Sequence, residues 1–165
     1  MLRPRLTPRA VLFFLAVAFG AAALTVRLTS ERLPELTSER LEVASKRWRD
    51  AHVGAYSLGL EMQGSELERG AYDVEVGKDG SVRASRNRIP VTGEARSYAV
   101  EGLLATLAEE VRNLSDPQRT FGAPPGYRAY LYARFDERGI PQRYRRVVGG
   151  TNRWSEWTVA RFEAR

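Results

Sequence analysis

The sequence predicts an α+β fold: an antiparallel β-sheet packed by two helices, preceded by an N-terminal transmembrane or signal helix. Three observations lead there. Apolar residues recur at helical spacing in two separate stretches, the stretches between and after them alternate with period two, and the alternating stretches are joined by connections of hairpin length. Such short connections cannot carry a parallel crossover, so the strands are expected to run antiparallel.

Arg3, Arg5 and Arg9 precede an uncharged run over 10–26, which Arg27 closes. As a helix this run would reach about 25 Å at about 1.5 Å per residue, slightly short of a hydrocarbon core of about 30 Å. Positive charge ahead of an apolar run is retained on the cytoplasmic side, so the remainder of the chain is expected outside. Ala21, Ala22 and Ala23 follow Gly20 and supply the small-residue pattern that a signal peptidase reads, whereas Leu24, Thr25 and Val26 carry apolar character past that point. Residues 1–27 are thus expected to be either an uncleaved single-pass anchor or a removed signal. The domain that follows would be held at the cell membrane, or be periplasmic or secreted if cut near Ala23. The chain has no cysteine, which excludes a lipidated cysteine and any disulfide.

Residues 28–33 (LTSERL) recur unchanged at 36–41, with Pro34 between the copies. An eight-residue step places equivalent side chains about 80° apart around a helix, which reads as local duplication in a linker, 28–37, rather than as a repeat architecture. Thr37 or Ser38 can cap a helix over 38–51, whose Leu41, Ala44, Trp48 and Ala51 share one face. From residue 54 the period changes. Tyr56, Leu58 and Leu60 alternate with Ser57, Gly59 and Glu61 as a half-buried strand, and 63–69 reads as a polar loop. Strands over 71–76 and 81–85 flank Gly77, Lys78, Asp79 and Gly80, and Asp-Gly supplies the positive φ that a tight hairpin needs. Tyr72, Val74 and Val76 are expected on one side of it, Asp73 and Glu75 on the other.

Residues 89–95 contain Pro90 and Gly93 and are expected to be irregular. A second helix over 98–114 carries the stripe Leu103, Leu104, Leu107, Val111 and Leu114, weakened near its start by Gly102. Pro117, Pro124 and Pro125 end it. Three more strands follow: one with Leu131, Ala133 and Phe135 facing one way and Tyr130, Tyr132 and Arg134 the other, one over 140–148, and one over 154–162. Both alternating sets of the last strand contain an aromatic residue, so alternation alone assigns it no face. Residues 38–165 are expected to form one domain around one core.

Several of these features together are similar to a family of small exported bacterial proteins and lipoproteins known only as a domain of unknown function. The matching residues are Trp48 and Tyr56; Tyr72, Val74 and Val76 with Asp79, Gly80 and Val82; Tyr98, Val100, Gly102 and Leu103; and Phe135, Asp136, Gly139 and Pro141. The resemblance covers roughly residues 45–148. It implies the scaffold and an exported location, and carries over no catalytic residue. Relatives of this kind often hold a cysteine pair near the first strands, whereas this chain has none.

Four of the arginines and no acid lie in 1–27, so the +6 of the whole chain falls to +2 over 28–165. That balance gives no reason to invoke nucleic acid. The single histidine, His52, falls at a helix end, where its interaction with the helix dipole is sufficient reason for it. Without thiols or further histidines no metal set is expected, and no cofactor is implied. Glu109 and Glu110 point about 100° apart on a helix and do not face a common substrate. The glycines around 122–126 lack the spacing and the lysine of a phosphate loop.

One cluster remains. Residues 127–165 hold nine arginines against four acids. Tyr130, Tyr132, Arg134, Arg143, Arg145, Arg146, Trp154 and Trp157 are the candidate binding residues, because stacked aromatics and guanidinium groups together suit anionic and planar partners. The expected function is non-catalytic binding of an envelope protein, a peptide or an anionic envelope component. An inhibitor or accessory subunit of an envelope enzyme, inserting the tip at Lys78, Asp79 and Gly80, is the alternative. A carboxylate-dependent hydrolase ranks third.

Overall fold

A computed structural model describes residues 33–65, 69–115 and 121–165. The expected membrane or signal helix, and most of the first LTSERL copy, lie outside the described residues. Leu33–Arg165 forms one compact unit. Among the described residues no helix is long and apolar enough to cross a membrane.

Helix α1 (Ser38–Asp50) starts where Thr37, in extended conformation, accepts a hydrogen bond from Arg40 N at 3.3 Å through its hydroxyl. Its Leu41, Ala44 and Trp48 are buried, as the helical spacing requires. Strands β1 (Tyr56–Gly64), β2 (Gly70–Val76) and β3 (Val82–Arg86) form an antiparallel meander, and two-residue β4 (Ile89–Pro90) adds to its edge. Residues 89–95 are therefore not wholly irregular: a proline cannot donate to a ladder, but at an edge it need not. A 3-10 turn (Ala95–Tyr98) and an extended Ala99 precede helix α2 (Val100–Leu114), which begins two residues later than its apolar pattern suggests. Strands β5 (Ala129–Phe135), β6 (Pro141–Val148) and β7 (Trp154–Ala164) form the second meander.

Among the described residues seven strands, rather than the six legible from alternation, make one sheet in the order β4-β3-β2-β1-β7-β6-β5. The pairing of β1 with β7 joins the two meanders and runs the length of both strands, from Tyr56 opposite Ala164 to Gly64 opposite Ser155. Both helices cover one face. Leu41, Trp48, Val100, Leu103, Leu104 and Leu107 meet Tyr56, Leu58, Leu60, Tyr72, Val74, Leu131, Ala133, Tyr144 and Trp157 in a single core. Among the described residues no helix covers the other face.

Two irregularities set which residues face the helices. Between Gly59 and Leu60 the register with β7 slips by one: Leu60 lies opposite Val159 and Gly59 opposite Arg161, so Ala160 is an extra residue. Ser155, Trp157 and Val159 point inward up to that bulge, and beyond it Phe162 does so instead. That is why Trp157 and Phe162, which belong to different alternating sets, both face the helices. Phe162 packs on Trp48 (6.0 Å between centroids) and Tyr56 (5.3 Å). A similar slip between Arg134 and Phe135 leaves Gln142 unpaired on β6.

The outer edge of β5 is covered. Leu36 N donates to Leu131 O at 2.8 Å and Ala133 N donates to Pro34 O at 3.0 Å, so residues 34–36, expected as linker, run along this strand, and Leu36 is buried in the core. Covering an edge removes a row of unpaired backbone groups that would otherwise recruit another chain.

Candidate functional site

On the open face, β5, β6 and β7 align their outward residues in three rows. Tyr130, Val147 and Trp154 form the first; Tyr132, Arg145 and Glu156 the second; Arg134, Arg143 and Thr158 the third. Alternation fixes this arrangement, because Leu131 and Ala133 between the β5 residues are buried. Six of the eight candidate residues are thus brought together: Tyr130, Tyr132, Arg134, Arg143, Arg145 and Trp154.

Arg146 and Trp157 are not among them. Each sits one position out of phase with the open face. Trp157 is buried against Tyr144, with 5.5 Å between centroids. Arg146 faces α2, where it donates to Glu110 at 2.9 Å and lies over the Phe121 ring at 4.7 Å. Glu110 also accepts from the Tyr144 hydroxyl, while its neighbour Glu109 is exposed. The paired glutamates therefore serve different surroundings, one of them bridging α2 to β6.

Within the rows, Arg143 donates through Nε to Glu156 at 2.7 Å, and Arg145 Nε lies 3.7 Å from the other oxygen of the same carboxylate. The carboxylate is sheltered, at 17 % exposed, whereas the Arg143 and Arg145 side chains are 38 % and 48 % exposed. One acid thus serves two cations. Arg134 and Arg143 stand directly opposite each other across β5 and β6. Like charges in that position are separated by about 5 Å at Cβ and repel. Arg128 lies 4.9 Å over the Tyr130 ring, and Arg145 lies 6.0 Å from the Trp154 ring. The first row is aromatic and apolar, the third has two arginines, and among the described residues no helix covers them.

The far half of the same face differs. Around Ser57 and Gly59, Arg161 pairs with Asp73 at 3.2 Å and Arg165 with Glu75 at 3.2 Å. These residues line a shallow depression of about 640 Å³ in which acids and bases alternate. Cationic excess is confined to the β5–β6 half.

The β2–β3 tip is exposed and locally fixed. Asp79 accepts from Ser81 N at 3.0 Å, and its hydrogen bonds to Ser81 hold its carboxyl below the usual carboxylate range. His52 is exposed just past α1 in a left-handed conformation. Among the described residues, no group of three or more His, Cys, Asp or Glu could hold a metal ion.

The residues that carry the family resemblance act as joints. Tyr56 donates to Glu101 at 2.8 Å and accepts from Val100 N at 2.9 Å, and Trp48 donates to the second oxygen of Glu101 at 2.9 Å. Gly102, expected only to weaken its helix, is required there: a Cβ would collide with the carbonyl of Arg96 in the preceding turn. Asp136 closes the β5–β6 turn by accepting from Arg138 N at 3.0 Å and Ile140 N at 2.8 Å. Gly139 in that turn has φ of 84°, and a Cβ there would collide with the α1 backbone carbonyl of Ala44. Sequence reasoning missed Glu101 and Gly139 as joints, because their partners are remote in the chain. No protein-family model matches this chain, and no curated protein matches it.

Proposed function

We propose that this chain is a non-catalytic binding domain of the bacterial envelope, tethered by residues 10–26 or released by cleavage near Ala23, and that it takes an anionic partner on the open β5–β6–β7 face. The observation that carries this reading is the row of guanidinium groups on this face, with Arg143 and Arg145 sharing one carboxylate, Glu156, and Arg134 directly opposite Arg143. A partner anion would relieve the cross-strand repulsion and add charge-assisted hydrogen bonds to Arg143 and Arg145, which share one carboxylate. The aromatic row beside it offers stacking area at little cost in side-chain entropy. The resemblance to small exported proteins is consistent with this location.

The alternative reading, an inhibitor or accessory subunit, is favoured by the fixed conformation of the β2–β3 tip, since a pre-organised loop loses little freedom on entering a cleft. A photo-crosslinking residue placed in intact cells at 132, at 79 or at 83 separates the two. Adducts from 132 alone support the β5–β6–β7 face. Adducts from 79 alone transfer the assignment to the hairpin tip, and equal labelling from all three positions removes both.

A further inference from the structure

Resting on the reading of the β5–β6–β7 face as a binding surface, we infer that its partner is the anionic surface of the bilayer itself, the phosphate headgroups of the leaflet beside the tether. The uncharged run ends at Val26, and seven residues, 27–33, separate it from Pro34. Seven extended residues span at most about 25 Å. Residues 34–36 then pair along β5, which is the strand that presents Tyr130, Tyr132 and Arg134 outward. The chain thus enters the domain at this edge of the sheet rather than at the β4 edge.

The composition of the face agrees. Tyr127 is 58 % exposed at the entry to β5, and Tyr130, Tyr132 and Trp154 are half-buried with part of each side chain free. Tyrosine and tryptophan favour headgroup depth, where one end of the ring is wet and the other apolar. Arg128, Arg134 and Arg145 are exposed among them. Arginines near an anionic leaflet are attracted over a distance of about 8 Å at physiological salt, so they act at close range.

The absence of native cysteine permits a clean test with the full chain. Val147→Cys sits in the first row and removes neither charge nor ring, and Ser85→Cys marks the far half of the same face. Each is labelled with an environment-sensitive fluorophore and reconstituted in phosphatidylcholine vesicles with or without phosphatidylglycerol. Acrylamide quenching at 147 is expected to fall about threefold when phosphatidylglycerol is present and to recover in high salt, with 85 unchanged. Combining the label with Arg134→Gln, Arg143→Gln and Arg145→Gln is expected to abolish the protection. Equal quenching at 147 in the two lipids overturns the inference. So does equal protection by soluble glycerol phosphate in phosphatidylcholine vesicles, which assigns the face to free phosphate. If 147 stays wet on anionic vesicles while a crosslinker at 132 still captures an envelope protein, the lipid assignment falls and the binding-face reading survives.

Discussion

Tyr56 shows how much one side chain holds in place. Its hydroxyl ties β1 to the start of α2 through Val100 N and Glu101, and Glu101 reaches on to Trp48 of α1. Burial, aided by the Glu101 carboxylate, raises the Tyr56 pKa well above its ordinary value of 10.0. The sign follows from linkage. Below pH 10 the hydroxyl keeps its proton in both states, whereas above it only the unfolded chain ionises, so stability falls as pH rises. Tyr56→Phe is expected to cost about 1–3 kcal/mol in urea unfolding at neutral pH, because a buried N–H and a carboxylate lose their partner. The variant is also expected to show a shallower alkaline loss than the native chain. An unchanged midpoint, or an identical alkaline slope, would show that the hydroxyl is not a joint.

At the level of elements, the bulge in β7 decides what the strand contributes. Ala160 is exposed and makes no core contact, yet it sets the phase that returns Phe162 to Trp48 and Tyr56. Because Ala160 is the extra residue, deleting it makes Val159 and Arg161 neighbours opposite Leu60 and Gly59 and leaves Phe162 opposite Leu58 on the core face. The deletion is therefore expected to retain the near-ultraviolet circular dichroism of the aromatic cluster, whereas Phe162→Ala is expected to weaken it and to cost about 3 kcal/mol. Loss of that signal on deleting Ala160 would mean that the bulge does not set the phase of Phe162. The two outer edges of the sheet are managed differently: β4 is two residues long and includes Pro90, while β5 is covered by 34–36.

For the whole molecule, the decisive pairing is between its first and last strands. Neither meander closes a core alone, since Leu58 and Leu60 from one and Trp157, Val159 and Phe162 from the other pack together under the same helices. Unfolding is therefore expected to be a single transition, with tryptophan fluorescence and far-ultraviolet circular dichroism sharing one urea midpoint. Two separated midpoints would mean that the meanders are independent. The pairing also joins residues about a hundred positions apart, which predicts slower folding than a helical bundle of this size. The same long-range join places a cationic half and a charge-balanced half on one continuous open face.

The sequence by itself determined what is local: the Thr37 cap, the stripes of both helices, the tight turn at Asp79 and Gly80, and the alternation that turns Tyr130, Tyr132 and Arg134 away from Leu131 and Ala133. These follow from backbone geometry over a few residues. Only the tertiary structure decided that β1 lies beside β7, that residues 34–36 run along β5, and that Arg146 and Trp157 face the helices while Arg143, Arg145 and Trp154 do not. A run of alternating residues carries no marker of which set is inward. The neighbouring strand sets the phase, and bulges at Gln142 and Ala160 reset it where backbone pairing slips by one residue.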